Sequence, residues 1–135
     1  MKRLFSALTV ASLGLNLFAG ELPAETTAKL LKVVVNGSGE KINCRDGVMK
    51  AALEATGVPL DSYGKIVWSS NPTEIKMLKS QHKLIITNRP DQLGMGASIA
   101  ISEDGGKPKI HLHTGNLSAS GVTLSDSILK MGEKI

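Results

Sequence analysis

One cysteine, one tryptophan, one tyrosine and two phenylalanines stand among 135 residues, and each scarcity excludes something. A lone cysteine cannot close an internal disulfide. Single-strand nucleic-acid recognition draws on several aromatic stacking platforms above a basic groove, which this chain does not offer. The chain also lacks the motifs that would announce an enzyme: a G-x-S-x-G elbow, a phosphate loop, a G-x-G-x-x-G turn after a strand, or H-E-x-x-H. The sequence therefore reads as a non-enzymatic protein that needs no cofactor. No internal repeat, low-complexity tract or linker divides it, so it reads as one domain.

What the chain does have begins at its N-terminus. "MKRLFSALTVASLGLNLFAG" opens on Lys2 and Arg3 and continues as an apolar run interrupted by Ser6, Thr9, Ser12 and Asn16. That is the layout of a secretory signal peptide, and the run is short for a membrane span of about 20 apolar residues. Cleavage is expected near Ala19 or Gly20, with Ala24 a lesser site. Residues 1–20 are then the leader and 21–135 the domain, placed in a periplasm or outside the cell. The leader carries two bases and no acids, so its loss lowers the formal charge from +4 to +2 and leaves Tyr63 and Trp68 as the only aromatic side chains.

In an oxidising compartment cysteines usually pair, so Cys44 has three possible fates: a buried inert thiol, a bridge between two chains of a homodimer, or a reactive role. A reactive thiol needs a base nearby, and the spacing supplies none.

Periodicity yields an α/β domain of two or three layers. "KLLKVVVNG" (29–37) has a β-branched centre and a terminal Asn-Gly, which predicts a buried strand. A short strand is expected around 41–44, then a helix over "RDGVMKAALEATGV" stopped by Gly57. "KIVWSS" (65–70) and "KLIITN" (83–88) read as further buried strands. Between them "NPTEIKMLKSQ" reads as a helix, with Asn71 as cap, Pro72 at the first helical position and Glu74 completing a capping box. Strand and helix alternating at this spacing predict a parallel βαβαβ core with right-handed crossovers.

Further on, 98–102 and 109–113 flank an Asp-Gly-Gly turn and predict an antiparallel hairpin, followed by a helical turn over 116–120. "LSDSILKMGEKI" predicts a closing helix, capped by Thr123 or Ser125, whose Leu124, Ile128, Met131 and Ile135 form one buried stripe.

In "KPKIHLHTG", His111 and His113 lie two apart in the second hairpin strand and share a face. A zinc site wants three or four protein ligands. The other candidates, His82, Cys44 and scattered carboxylates, stand at no diagnostic spacing. The pair is expected to be solvent-side decoration, with Ile110 and Leu112 facing the core and no metal bound.

"KLIITNRPDQLGMGASIAISEDGGKPKIHLHTGNLSASGVTLSDSILKMG", residues 83–132, resembles the YfiR-like family of periplasmic proteins. An apolar strand leads through a Pro-containing loop to Gly96-Ala97-Ser98-Ile99. An acidic turn (Glu103 to Gly106), a Lys-x-x-Ile strand, a helical turn ending Ala119 to Val122, and Leu-Ser-x-Ser-Ile-Leu-Lys follow in order. The resemblance implies a signalling adaptor that binds the extracytoplasmic part of a membrane protein, in the best-known members a diguanylate cyclase, with redox control through disulfides. Cys44 alone cannot form an internal disulfide, so that control does not carry over.

The alternative function is a small-solute or anion-binding module using the crevice at the carboxyl ends of the parallel strands. Ser69, Ser70 and the start of the Asn71 helix would offer backbone amides and Arg89 a cation. The leader carries the first test. Intact-mass measurement of protein from the native host should show roughly the first twenty residues missing, and Met1 on the mature protein would remove the exported reading.

Overall fold

The structure, a computed structural model, describes residues 22–134; the expected leader lies outside them. A six-stranded mixed sheet forms the middle of three layers. Its strands are β1 (Ile42–Cys44), β2 (Ile66–Trp68), β3 (Leu84–Thr87), β4 (Ile99–Asp104), β5 (Lys107–Leu112) and β6 (Glu133–Lys134), side by side in chain order. β1 to β4 are parallel, β4 and β5 form the antiparallel hairpin, and β6 pairs parallel with β5.

Alternation along the strands divides the core. Ile42, Ile66, Leu84, Ile86, Ile99, Ile101, Ile110 and Leu112 face one side and build the larger apolar cluster. Over them lie α1 (Ala24–Ser38), α2 (Gly47–Ala55), α4 (Thr114–Ser120) and α5 (Asp126–Met131), supplying Leu31, Leu53, Leu117 and Ile128. The opposite face is smaller. Val67, Ile85 and Ala100 meet Ile75 and Leu78 of α3 (Pro72–Ser80) and Leu93 of a 3-10 turn at Pro90–Met95.

The α/β class, the short strand at 42–44, the two buried strands that follow, the hairpin and the helices after β1 and β2 match the sequence reading. The first expected strand does not exist: residues 29–37 lie within α1. Thr27, Ala28, Leu31, Val34 and Val35 are its buried positions, a spacing of three and four that belongs to a helix. Val33 is 42% exposed, so the β-branched centre is not uniformly inside. Packing overrode β propensity here. Asn36 and Gly37 are helical too, and Gly37 is a contact glycine: a Cβ there would stand 2.8 Å from that of Ser125.

The closing helix is also shorter than its pattern. It runs from the Ser125 cap to Met131, with Ile128 fully buried, Leu124 buried ahead of the cap and Met131 53% exposed. The chain then straightens at Gly132 into β6. Gly132 lies so close to Leu112 that a Cβ would meet its side chain at 2.5 Å, so the chain there follows the sheet edge and leaves the helical path. Ile135 lies outside the described residues.

The route from β1 to β2 fixes where a site can sit. After α2, Leu60 makes a parallel bridge to Ile42. Asp61 N–H donates to the Ile42 carbonyl at 3.0 Å, and Ile42 N–H to the Pro59 carbonyl at 3.4 Å, on the edge of β1 away from β2. The chain then passes beneath β1 through Gly64, where a Cβ would lie 2.6 Å from the Lys41 carbonyl oxygen. Thus the chain winds outward from β1 on one face of the sheet and onward from β2 on the other. Winding reverses between β1 and β2.

At the far edge, β6 covers only His111 and Leu112 of β5. Pro108 lies in the uncovered part, where proline costs the ladder least.

Ile128→Ala should lower stability by about 2–5 kcal/mol, a drop in Tm of roughly 10 °C or more. Met131→Ala should change stability by less than about 0.5 kcal/mol. Thermal unfolding of both variants checks the pair, and equal losses would restore the continuous buried stripe.

Candidate functional site

Where winding reverses in an open α/β sheet, the loops after the two neighbouring strands part to opposite faces and leave a crevice at their carboxyl ends. Here those loops are Arg45-Asp46 after β1 and Ser69-Ser70-Asn71 after β2. The crevice consists of two adjoining hollows. The larger, about 370 Å³, is lined by Arg45, Asp46, Trp68, Ser69, Ser70, Asn71 and Glu74. The smaller, about 220 Å³, is lined by Leu22, Ala24, Thr27, Asp46, Val48, Met49, Trp68, Ser70 and Asn88. Asp46, Trp68 and Ser70 belong to both.

Ser69, Ser70 and Asn71, expected at a site from the sequence, come together here. Arg89 is not in the lining. It turns to Asp91, 3.3 Å away, with its side chain 60% exposed. Of the amides expected to hold an anion, Ser69 N–H donates to the Ile86 carbonyl at 3.0 Å, and those of the first turn of α3 are capped. Asn71 Oδ1 accepts from Thr73 and Glu74 N–H at 2.9 and 3.1 Å, and Asp46 Oδ1 accepts from Val48 and Met49 N–H at 3.0 and 3.1 Å. Each helix is capped by its own side chain, the usual use of Asn and Asp in that position.

The capping box forms only by half. The Glu74 carboxylate accepts from Ser69 Oγ at 2.5 Å, and Ser69 Oγ in turn accepts from Asn71 N–H at 3.2 Å. The serine thus stands between Glu74 and the amide that Glu74 was expected to bind. The other carboxylate oxygen lies 3.2 Å from Arg45 Nη1. Gln92, fully buried in the 3-10 turn, braces the wall from behind: its amide N–H donates to the Ser70 carbonyl at 2.7 Å, and its side-chain oxygen accepts from the Thr87 hydroxyl. Asn88, at the cleft wall, has a buried Oδ1 with no hydrogen-bond partner, which carries a desolvation cost of about 1–3 kcal/mol.

Sequence reasoning missed Arg45, Asp46, Glu74 as a lining residue, and Asn88. The available signal was Asp46-Gly47 following a short strand, an N-cap at the carboxyl end of β1. Placing the first strand at 29–37 hid the significance of that end.

Cys44, the last residue of β1, is 6% exposed in the large core cluster. Burial pushes its thiol above the ordinary value, partly offset by a contact with the Asp46 carbonyl at 3.6 Å. A bridge to a second chain would require the fold to open.

The two histidines have separate partners. His113 lies past the strand end and caps α4, its Nδ1 accepting from Asn116 N–H at 3.0 Å. His111 Nε2 lies 3.3 Å from Glu133 Oε1. Ile110 and Leu112 point into the core as expected. Among the described residues no group of three or more His, Cys, Asp or Glu side chains is arranged to hold a metal, and no helix is long and apolar enough to cross a membrane.

No protein-family model matches the chain, and no curated protein is significantly similar. Among solved structures, the ABC domain in complex with L-Trp from Streptococcus pneumonia superposes with a TM-score of 0.60 at 15% identity, over 83% of this chain and 61% of that one. A conserved domain protein from Vibrio cholerae O1 biovar eltor superposes with a TM-score of 0.63 at 10% identity, over 84% of this chain and 60% of that one. This chain therefore spans about three fifths of either, and at these identities the likeness is one of fold.

Because a thiolate is the reactive form of cysteine and burial disfavours it, native Cys44 should resist a thiol-specific chromogenic reagent at pH 8 and react fully after denaturation. Rapid labelling of the native protein would put the thiol at the surface.

Proposed function

We propose that this chain is an exported, non-enzymatic adaptor of the YfiR-like kind, which binds the extracytoplasmic part of a membrane protein. The reading rests on the order of pieces within residues 83–132. In the fold, that order corresponds to one continuous unit: β3, the proline-led 3-10 turn, the β4–β5 hairpin, α4 and α5. This half of the domain presents a rigid sheet edge and two short helices, a suitable platform for protein contact. The expected leader would deliver it to the compartment where such a partner is reached.

A second reading, a small-solute-binding module, is favoured by one specific observation: the crevice at the winding reversal, where ligands bind in open α/β sheets. The fold shared with a domain described in complex with L-Trp is compatible with that use.

The adaptor reading is tested in two steps. Tagged mature protein should retain from solubilised membranes a protein with an extracytoplasmic domain, identified by mass spectrometry. That domain, purified, should then bind in saturable fashion by calorimetry. Retention of no such protein, or failure of the purified domain to bind, overturns the adaptor.

A further inference from the structure

We infer that the amino-terminal end of the sheet, on the face that α3 covers, is a docking surface for an anionic lipid bilayer. The inference rests on the adaptor reading, which places the domain beside a membrane, and says which side of the domain lies against it. Three observations carry it.

First, the fold lines up lysines that are far apart in sequence. Lys41, Lys65 and Lys83 each stand one residue ahead of the register row Ile42, Ile66 and Leu84, and the Lys41 and Lys65 carbonyls accept from Ile66 and Leu84 N–H at 3.2 and 3.1 Å. Because that row faces the larger cluster, alternation turns the three lysines to the opposite face, about 5 Å apart from strand to strand. Lys79, in the last turn of α3, carries the line to the next strand: its stem lies over Gly96, ahead of β4, where a Cβ would stand 2.7 Å from its Cδ. Lys76 is exposed one turn earlier on the same flank of the helix.

Second, this charge is uncompensated. Lys41 lies 3.9 Å from Asp61, but among the described residues no acid pairs with Lys65, Lys76, Lys79 or Lys83. Lys83 Nζ donates to the Gly64 carbonyl at 3.2 Å, which leaves its charge intact. Five lysines thus meet two acids, Glu40 and Asp61, an excess of three, whereas the whole chain without its leader carries +2 in place of +4. The positive charge of the domain is concentrated at this end, and the remainder is slightly acidic.

Third, the side chains suit a headgroup layer better than the carboxylates of a protein. The row is all lysine, a hydrated point charge that responds to the potential of an anionic surface. Arg45 and Arg89, which could grip a carboxylate in bidentate fashion, lie at the other end of the sheet and are already paired. Beside Lys65, Tyr63 is 88% exposed on an ordered turn: its N–H donates to Asp61 Oδ1 at 2.8 Å, and Gly64 N–H donates to the Asp61 carbonyl at 2.9 Å. A tyrosine held outward next to lysines offers an apolar ring with a polar tip, the combination that settles at headgroup level.

The test is co-sedimentation of the mature protein with vesicles of phosphatidylcholine alone and of phosphatidylcholine mixed equally with phosphatidylglycerol. Saturable binding to the mixed vesicles, none to phosphatidylcholine, and release by about 0.5 M salt are expected. Lys65→Gln and Lys79→Gln, which break no ion pair, should each weaken binding about fivefold, the scale of one lysine at an anionic surface, with Tm unchanged. Lys107→Gln removes the same charge from the hairpin at the opposite end and should alter binding by less than about twofold. Tyr63→Ser should weaken binding while leaving its salt dependence in place.

No binding to the mixed vesicles, equal binding to both kinds, or equal losses from Lys65→Gln and Lys107→Gln overturns the docking surface. Displacement from the vesicles by polyglutamate at matched charge, or a Tyr63→Ser variant that binds as before, overturns the lipid as partner in favour of an acidic polypeptide. The vesicles hold no protein, so each of these results leaves the adaptor reading to its own pull-down.

Discussion

Everything in this fold depends on the chain passing beneath β1 at Gly64. With a Cβ there only 2.6 Å from the Lys41 carbonyl oxygen, any other residue would push the 61–65 segment away from the sheet. The Leu60 bridge to the outer edge of β1 would then have nothing to return from. With that detour, α2 covers one face and α3 the other. A direct β1–α2–β2 connection with α2 on its present face would have the opposite hand from the β2–α3–β3 connection, a rare arrangement. The crevice follows as a geometric consequence of this local solution.

The two faces are unequal in a way that suits the crevice. The larger cluster gathers α1, α2, α4 and α5 over long aliphatic side chains, whereas the smaller holds α3 and the 3-10 turn over Val67, Ile85 and Ala100. Most of the apolar burial therefore lies on one side. The other side carries the polar network of Ser69, Glu74, Gln92 and Thr87, whose hydrogen bonds fix the shape of the wall. Buried polar groups that satisfy one another specify geometry more than they add stability.

Much of the architecture was legible in the sequence because it is encoded by local chemistry. Asn71-Pro72 announces its helix, Asp-Gly-Gly its hairpin, and Ile66 to Trp68 and Leu84 to Thr87 their buried strands. The misreadings have physical causes. Val33 to Val35 look like a strand because branching at Cβ favours one, yet the pattern that decides runs from Thr27 to Val35, longer than the valine cluster. Met131 continues the helical spacing of Ile128, but the chain leaves the helix at Gly132 to pair along β5, a tertiary event without a local signature. For the crevice, Ser69, Ser70 and Asn71 could be placed from their position after a strand. Arg45 and Asp46 were masked, because taking 29–37 as the first strand drew attention away from the carboxyl end of β1. That Arg89 pairs with Asp91 and leaves the cleft was equally invisible, since two-residue spacing does not tell which way a side chain turns.

The bare stretch of β5 has a consequence for life at high protein concentration. Sheet edges recruit strands from other molecules when their donors and acceptors lie open, and β6 shields only His111 and Leu112. Along the remainder, Pro108 contributes no N–H, Lys107 is exposed, and Lys109 holds a charge against Asp104 and Glu133. A strand approaching from a neighbouring molecule finds a missing donor and a cation to desolvate. The hairpin can thus project from the domain without seeding fibrous growth.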